Sequence, residues 1–329
     1  MDNGHSVERP LVTAVIPTRN RPELVRRAVC SALSQTYSNL EIVVVIDGID
    51  TATVETLEAL NELRVRIVAL AENVGGSEAR NIGVREASGE WIALLDDDDE
   101  WLPQKIERQM EKIQSENREI LFSATQYIDK KGERVIIFPA FFPAPSQPIS
   151  EYVFCGISWF GRRETFMQTS TWMGRRSFFI AHPFTPGLKR NQDSDWLLRA
   201  FRDGVDKATF VLEPLAIFED RRDIQRISTL LDWEYNYRWA QGNADLFTTK
   251  AYAFYLMTSC AVTSAQQGAG MGTLTYLWSQ CDKSVKRSPK LMFCFVLAMA
   301  HRRGIVFNVG RFLVKLLPGR SIGPKKRTG

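Results

Sequence analysis

The chain has 329 residues, 44% of them hydrophobic and 24% charged, an ordinary globular composition that excludes a low-complexity or extensively disordered protein. Its five cysteines (Cys30, Cys155, Cys260, Cys281, Cys294) are scattered and lack metal-ligand spacing, which argues for reduced thiols in a cytosolic setting. The net charge of +4 hides an asymmetry: residues 283–329 hold twelve Lys or Arg and no Asp or Glu, while the other 282 carry 30 basic and 38 acidic residues.

Residues 1–10 are polar, lack the apolar core of a signal peptide, and are expected to be a flexible N-terminus. Leu11 to Ile16 is a short β-rich run ended by Pro17. A helix follows, with Asn20 as its expected N-cap, Pro22 in its first turn, and Leu24, Val25, Ala28, Val29, Ala32 and Leu33 at helical spacing. Glu41 to Ile46 is nearly all Val and Ile, as in a strand buried on both faces. Asp47-Gly48 turns the chain into a helix with Val54, Leu57 and Leu60 on one face. Arg64 to Leu70 predicts a third strand, Gly75-Gly76 opens a helix over 77–87, and Glu90 to Leu95 predicts a fourth strand. This alternation implies a doubly wound, mostly parallel α/β sheet. Further on, a helix with Ile106, Met110 and Ile113 inward precedes two short strands around Asp129 to Gly132. Phe138 to Pro148, rich in Pro and aromatics, reads as a loop: either a packed excursion or a lip over a cleft. A helix near 193–203 and a strand near 210–218 complete the body, and the chain turns mainly helical from about Leu230.

The fourth strand ends in Asp96-Asp97-Asp98-Asp99-Glu100-Trp101. Adjacent carboxylates at the end of a buried strand are costly without a positive partner, and oxygen-only ligands favour Mg²⁺ or Mn²⁺. Pro17-Thr18-Arg19-Asn20, Asp47-Gly48 and Asn73 to Gly76 also fall at strand carboxyl ends, which converge on one edge of a parallel sheet. Hydroxyl, amide and carboxylate groups, a glycine-opened helix N-terminus and a metal site together suit a nucleotide diphosphate. No G-x-G-x-x-G follows the first strand and no G-x-x-x-x-G-K-[ST] exists, which argues against a dinucleotide fold and a P-loop NTPase.

As an ordered series, Val12 to Arg21, Ser34 to Tyr37, Glu41 to Val45, Asn73 to Asn81 and Leu95 to Trp101 resemble the family 2 inverting glycosyltransferases of GT-A fold. The resemblance covers roughly residues 11–230. It implies that Asp96 contacts the ribose or nucleotide, that Asp98 with Asp96 holds the metal on the donor diphosphate, and that Asp97 lies beside them. It implies further that Pro17, Thr18, Arg19 and Asn20 line the nucleotide, that Asp47 reads the nucleobase, and that Arg80 flanks the cleft. An acceptor hydroxyl must lose its proton as it attacks, so a carboxylate base is needed. Asn191 to Arg199 resembles the family's E-D-x-D-L-W-L-R segment, which makes Asp193 the base, Asp195 the rival, and Gln192 a replacement for the usual Glu. Loops at 221–228 in similar enzymes close over the diphosphate, which makes Arg226 a candidate for offsetting leaving-group charge. Two further departures are Arg19, where an aromatic is common, and Ile46, where a first carboxylate is common.

The resemblance implies a nucleotide-sugar donor and a glycan or lipid-linked acceptor, in cell-surface polysaccharide synthesis at the inner face of a bacterial-type membrane. A sugar-nucleotide-forming nucleotidyltransferase is the first rival, but its glycine-rich activating loop is absent from Pro17 to Arg21. A non-catalytic nucleotide-sugar or glycan-binding protein is the second, and the intact acidic run argues against it. The expected domains are a nucleotide half over about 11–101, an acceptor half over 102–230, and a helical extension over 231–329. Within that extension, Ile305, Val306, Val309, Phe312, Leu313, Leu316 and Leu317 share one helical face among basic residues. That pattern predicts either peripheral attachment to a membrane surface or packing on the body. No basic-aromatic platform on the acidic body suggests nucleic acid.

Overall fold

The computed structural model describes residues 9–131, 134–158, 163–219 and 232–302. The chain folds as two compact units, Met1–Leu230 with Asn243–Ala251, and Leu231–Gly242 with Tyr252–Gly329.

The first unit opens with the expected alternation. Strand β1 (Val12–Thr18) leads through α1 (Pro22–Leu33) to β2 (Leu40–Ile46), then α2 (Thr51–Glu58), β3 (Val65–Ala69), α3 (Gly76–Glu86) and β4 (Trp91–Leu94). These four strands pair in parallel, β1 at Val12↔Leu40 through Thr18↔Ile46 on one side and Val12↔Trp91 through Val15↔Leu94 on the other. Their carboxyl ends therefore lie together, as the sequence pattern requires. The sheet is buried on both faces here, which is why β2 is an unbroken Val and Ile run. Helix α3 lies so close to the sheet that a Cβ at Gly83 would sit 2.3 Å from Val15 Cγ1. That close approach sets the depth of Arg80, one turn earlier.

Beyond β4 the sheet is mixed. Strand β5 (Asp99–Trp101) lies inside the acidic run and is followed by α4 (Lys105–Gln114), β6 (Phe122–Lys131) and β7 (Arg134–Phe138). Then come α5 (Ile149–Cys155), β8 (Trp172–Arg175), α6 (Arg176–Ala181), α7 (Gln192–Ala200) and β9 (Ala208–Glu219). The sheet order is β3-β2-β1-β4-β8-β6-β9-β5, with β7 on β6. Strands β8 and β5 are antiparallel to their neighbours, and only β6 and β9 return to parallel pairing, across a bulge at Thr125–Tyr127. Both short strands escape periodicity arguments because neither is long enough to show a repeat.

Ile106, Met110 and Ile113 of α4 point into the main core, as their spacing predicts. Lys105 is also fully buried; its Nζ sits 4.3 Å from the Trp101 ring centre and donates to Gln109 Oε1 at 2.8 Å. Burial holds its ammonium well below the usual lysine range. Under α7, Trp196 stacks on Trp172 at 4.9 Å and meets Phe122, Phe178, Phe179, Phe184 and Phe201. Its indole N–H donates to His182 O at 2.6 Å. Aromatic pairs of this kind add about 0.5–1.5 kcal/mol beyond area burial, so α7 is firmly seated.

Asn20 does not cap α1. It adopts φ +53°, and Arg21 takes the cap position without a side-chain cap bond. The turn out of β1 requires a left-handed residue, and Asn accepts that conformation more readily than most. In the loop over 139–148, Gln126 donates to Pro139 O at 2.8 Å and Phe142 stacks on Phe210 at 4.6 Å, while Phe141 is exposed.

The second unit is helical where described. Helix Trp233–Gly242 carries Trp239, whose ring lies 5.3 Å from Tyr255. A π-helical turn at Leu256–Ala261 buries Leu256, Met257, Cys260 and Ala261. In helix Pro289–Arg302, Leu291, Cys294 and Ala298 are buried while Met292 and Val296 are exposed. All five cysteines are free. No helix among the described residues is long and apolar enough to cross a membrane. The amphipathic pattern at 305–317 lies outside the described residues, as does Arg226.

Candidate active site

Thr18, at the end of β1, donates its hydroxyl to Asp97 Oδ2 at 2.8 Å. Pro17 is half-buried on the same strand, whereas Arg19 and Asn20 are exposed just beyond it. Asn20 N–H donates to Asp50 Oδ2 at 2.7 Å, and Asp50 caps α2 through Thr53 N–H at 3.1 Å. Asp47 ties the loop after β2 to the loop after β3, accepting from Val74 N–H at 2.6 Å and Gly75 N–H at 3.0 Å. Gly75 stands at φ +84°, a conformation that glycine adopts without strain.

The acidic run divides into two pairs. Asp97 and Asp99 are held inward. Asp97 is bound by Thr18 and by Arg21 Nη1 at 3.0 Å, and its side chain is 9% exposed. Asp99 is 1% exposed, and its Oδ2 accepts from Ser170 Oγ at 2.5 Å and from Gln168 Nε2. Its Oδ1 has no hydrogen-bond partner among the described residues. Asp96 and Asp98 are the more open pair, with side chains 24% and 14% exposed. Asp97 and Asp98 occupy a turn that Asp99 N–H closes by donating to Asp96 O at 3.1 Å, and that turn sends one of them inward and leaves the other more open.

Two arginines answer this charge. Arg21 lies 3.7 Å from Asp98 Oδ2 as well as pairing with Asp97. Arg80, nearly fully buried on α3, sets Nη2 2.5 Å from Asp96 Oδ1 and donates from Nη1 to Gln192 Oε1 at 2.9 Å. Burial works against its charge, but Asp96 and Asp193 together hold it above the ordinary arginine value. Asn81, beside it, exchanges two hydrogen bonds with the Phe184 backbone, donating at 2.9 Å and accepting at 2.8 Å. That latch joins α3 to the loop leading to α7.

Asp193 sits in the first turn of α7, partly buried, and its Oδ1 accepts from Thr169 Oγ1 at 2.6 Å. Burial and the nearby Asp96 raise its carboxyl above the usual range, against the opposing pull of Arg80. Asp195 is differently placed: it is 2% exposed and accepts from Thr185 Oγ1 at 2.7 Å and Arg199 Nε at 2.9 Å. Its carboxylate is engaged in locking α7.

Within the acidic run, burial is the first cause of the raised carboxyls of Asp97 and Asp99. Burial pushes Asp97 up to about 6 despite Arg21, with Asp98 adding to the rise. Burial, then Asp98 and Asp96, raises Asp99 well above the carboxylate range. The oxygen-only donors of the more open pair, Asp96 and Asp98, fit a hard divalent ion. Among the described residues no three His, Cys, Asp or Glu side chains form a ready-made cluster. Magnesium-type sites of one or two carboxylates completed by substrate phosphates need none.

Residues 13–181, just over half of the chain, match the profile of glycosyl transferase family 2. The chain belongs to glycosyl transferase family 2. Among curated relatives, the amylovoran biosynthesis glycosyltransferase AmsB of Erwinia amylovora is 27% identical over 83% of this chain and 92% of its own length. The succinoglycan biosynthesis protein ExoO of Rhizobium meliloti is 35% identical over 39% of this chain, a match spanning only 37% of ExoO. Among solved structures, S. aureus TarS 1–349 in complex with UDP-GlcNAc aligns with TM-score 0.61 and 16% identity, over 91% of this chain and 92% of TarS 1–349. That likeness establishes the GT-A fold for this family 2 member.

Gln168, Thr169, Ser170, Arg21 and Asn81 carry no role in the sequence reading, yet each contacts the acidic run, Asp193 or the latch beside Arg80. The one signal for the first three is an uninterrupted polar run, Gln168 to Thr171, directly before an apolar strand.

Proposed function

We propose that this chain is a metal-dependent, inverting glycosyltransferase that moves a sugar from a nucleotide-diphosphate donor to a hydroxyl of a glycan or lipid-linked acceptor. The observation that carries this reading is the convergence of Asp96, one of the open pair, with Asp193, through Arg80 and the Gln168 to Thr171 turn. Pro17, Thr18, Arg19, Asn20, Asp47 and Arg80 frame the nucleotide in this reading, and Asp97 braces the run from beneath.

Asp98 with Asp96 would hold Mg²⁺ or Mn²⁺, which supplies charge neutralisation on the diphosphate. Asp193 takes the proton from the acceptor hydroxyl as that oxygen bonds to the anomeric carbon. The bond from that carbon to the diphosphate oxygen breaks, and the nucleoside diphosphate leaves with the electron pair. Attack opposite the leaving group inverts the anomeric centre. Arg226, outside the described residues, is proposed to offset leaving-group charge. The names of ExoO and AmsB, which refer to succinoglycan and amylovoran biosynthesis, support a place in polysaccharide biosynthesis. The basic residues after Asp282 support peripheral attachment to an anionic membrane face.

The test is release of nucleoside diphosphate from UDP-glucose, UDP-galactose, UDP-GlcNAc and GDP-mannose, with MnCl₂ or with excess EDTA. Release from at least one donor, abolished by EDTA, is expected. Full turnover in EDTA would remove the metal from the reading, and no release from any donor would count against transferase activity.

A further inference from the structure

We propose that Thr169 is a positioning residue for Asp193, and that Thr169 and Ser170 together set the base against the acidic run from one rigid turn. This rests on the reading of Asp193 as the base. The turn Thr169–Thr171 is a single 3₁₀ turn just before β8, and all three of its side chains are fully buried. Burying consecutive hydroxyls is costly unless each has a partner, and here each has one. Thr169 Oγ1 donates to Asp193 Oδ1 at 2.6 Å. Ser170 Oγ donates to Asp99 Oδ2 at 2.5 Å and accepts from Asp96 N–H at 3.0 Å. Thr171 Oγ1 donates to Gln168 O at 2.6 Å.

The backbone of the turn is fixed as well. Trp101 Nε1 donates to Ser170 O at 2.7 Å, and Gln109 Nε2 donates to Thr171 O at 3.2 Å. Neighbouring side chains on a held turn thus grip two carboxylate-bearing segments far apart in sequence. A positioned base must keep one oxygen facing the acceptor, within a few tenths of an ångström. The Thr169 hydroxyl occupies Oδ1 of Asp193, and the Thr169 backbone also favours the ionised carboxylate, so this one residue fixes how the base is turned. The titratable and charged groups facing Asp193 are Asp96 from the acidic run, Arg80 from α3 and the Tyr127 hydroxyl of β6. Thr169 adds the neutral donor that favours the ionised base.

The test compares Thr169→Val, which keeps shape and removes the hydroxyl, with Thr169→Ser, which restores it. Turnover of the four nucleotide sugars with MnCl₂ should fall at least tenfold in kcat for Thr169→Val. UDP and GDP affinity in MnCl₂ should stay within twofold, and Thr169→Ser should recover most of the rate. A charge-assisted hydrogen bond of about 1.5 kcal/mol corresponds to about one pH unit. The Asp193 ¹³Cγ resonance, assigned with Asp193→Asn, should therefore titrate about one unit higher in Thr169→Val and return in Thr169→Ser. In an Asp193→Asn background, Thr169→Val should cost nothing further.

An unmoved midpoint with unmoved kcat would overturn the proposal. So would an equal kcat loss in the Asp193→Asn background, because Thr169 would then act elsewhere. If Asp193→Asn alone turned over normally, the base assignment and the catalytic half of the proposal would fall together, whereas the midpoint shift reports the contact itself. Should Thr169→Val not fold, Thr169→Ala carries the same measurements.

Discussion

Arg80 Nη2 lies 2.5 Å from Asp96 Oδ1, while Nη1 donates to Gln192 Oε1 at 2.9 Å, so one buried guanidinium joins the acidic run to the helix of Asp193. The planar fork makes this possible, and a lysine cannot reproduce it. Arg80→Lys should therefore lower turnover by an order of magnitude or more while the chain still folds. Arg80→Ala should in addition destabilise the protein by on the order of 2–3 kcal/mol, below the full cost of breaking a buried pair because Asp96 keeps some solvent. Urea unfolding at neutral pH checks the second figure, and unchanged turnover in Arg80→Lys would contradict the first expectation.

The two pairs within the acidic run should behave differently. Asp98→Ala removes an open carboxylate, and is expected to abolish turnover and weaken UDP or GDP binding in MnCl₂. Asp97→Ala leaves Thr18 and Arg21 facing an empty position, and is expected to lower the melting temperature as well. Calorimetric titration with and without MnCl₂, beside thermal melts, separates the two. Identical losses of metal-dependent binding and of stability in both variants would show that the division into open and inward pairs has no functional meaning.

Asp193 and Asp195 should also part company. Asp193→Asn keeps the shape and is expected to lower the rate by at least ~10²-fold with donor affinity nearly unchanged. Burial and Asp96 raise the Asp193 carboxyl, and the base works deprotonated, so wild-type kcat/KM should rise with pH through a midpoint above the ordinary carboxylate range. The same shift has a stability sign. A carboxyl raised in the folded state binds more protons than in the unfolded chain, so its ionised form lowers stability as pH rises through the folded value. At pH 7.5 Asp193→Asn should be at least as stable as wild type. Asp195→Asn, which breaks the Arg199 pair, should instead lose about 2 kcal/mol. A rate loss in Asp195→Asn with normal stability, beside a normal rate in Asp193→Asn, would move the base by two residues.

Much of this site is legible in the sequence because the physics of parallel sheets is strict. Apolar runs that break into Thr18, Asp47 and Asp96 place those residues on one edge whatever the loops do. What escapes is chemistry on irregular backbone. Thr169 and Ser170 lie on a short turn with no period to betray them, and their importance comes from partners distant in sequence. Asn20 reads as a helix cap because Asn caps helices, but the exit from β1 uses its tolerance of positive φ instead. Lys105 would be placed in solvent by composition, yet it is buried against Trp101.

The basic C-terminal segment calls for a truncation chosen from the structure. Cutting near Asp282 would remove helix Pro289–Arg302, whose Leu291, Cys294 and Ala298 are buried in the second unit. A chain ending at Arg302 keeps that helix and deletes the amphipathic pattern at 305–317. The full chain should co-sediment with vesicles containing phosphatidylglycerol, less so at high salt, and the chain ending at Arg302 should bind more weakly. Equal sedimentation of both forms would assign the segment to packing or to a partner.

The decisive measurement on the chemistry is ¹H NMR of the sugar first released from an α-linked donor such as UDP-glucose, followed before the free sugar mutarotates, for wild type and Asp193→Asn in MnCl₂. Single displacement assisted by Asp193 leads to the β anomer first, and to its slow or absent release in Asp193→Asn. Release of the α anomer first, or an undiminished β signal from Asp193→Asn, would contradict it.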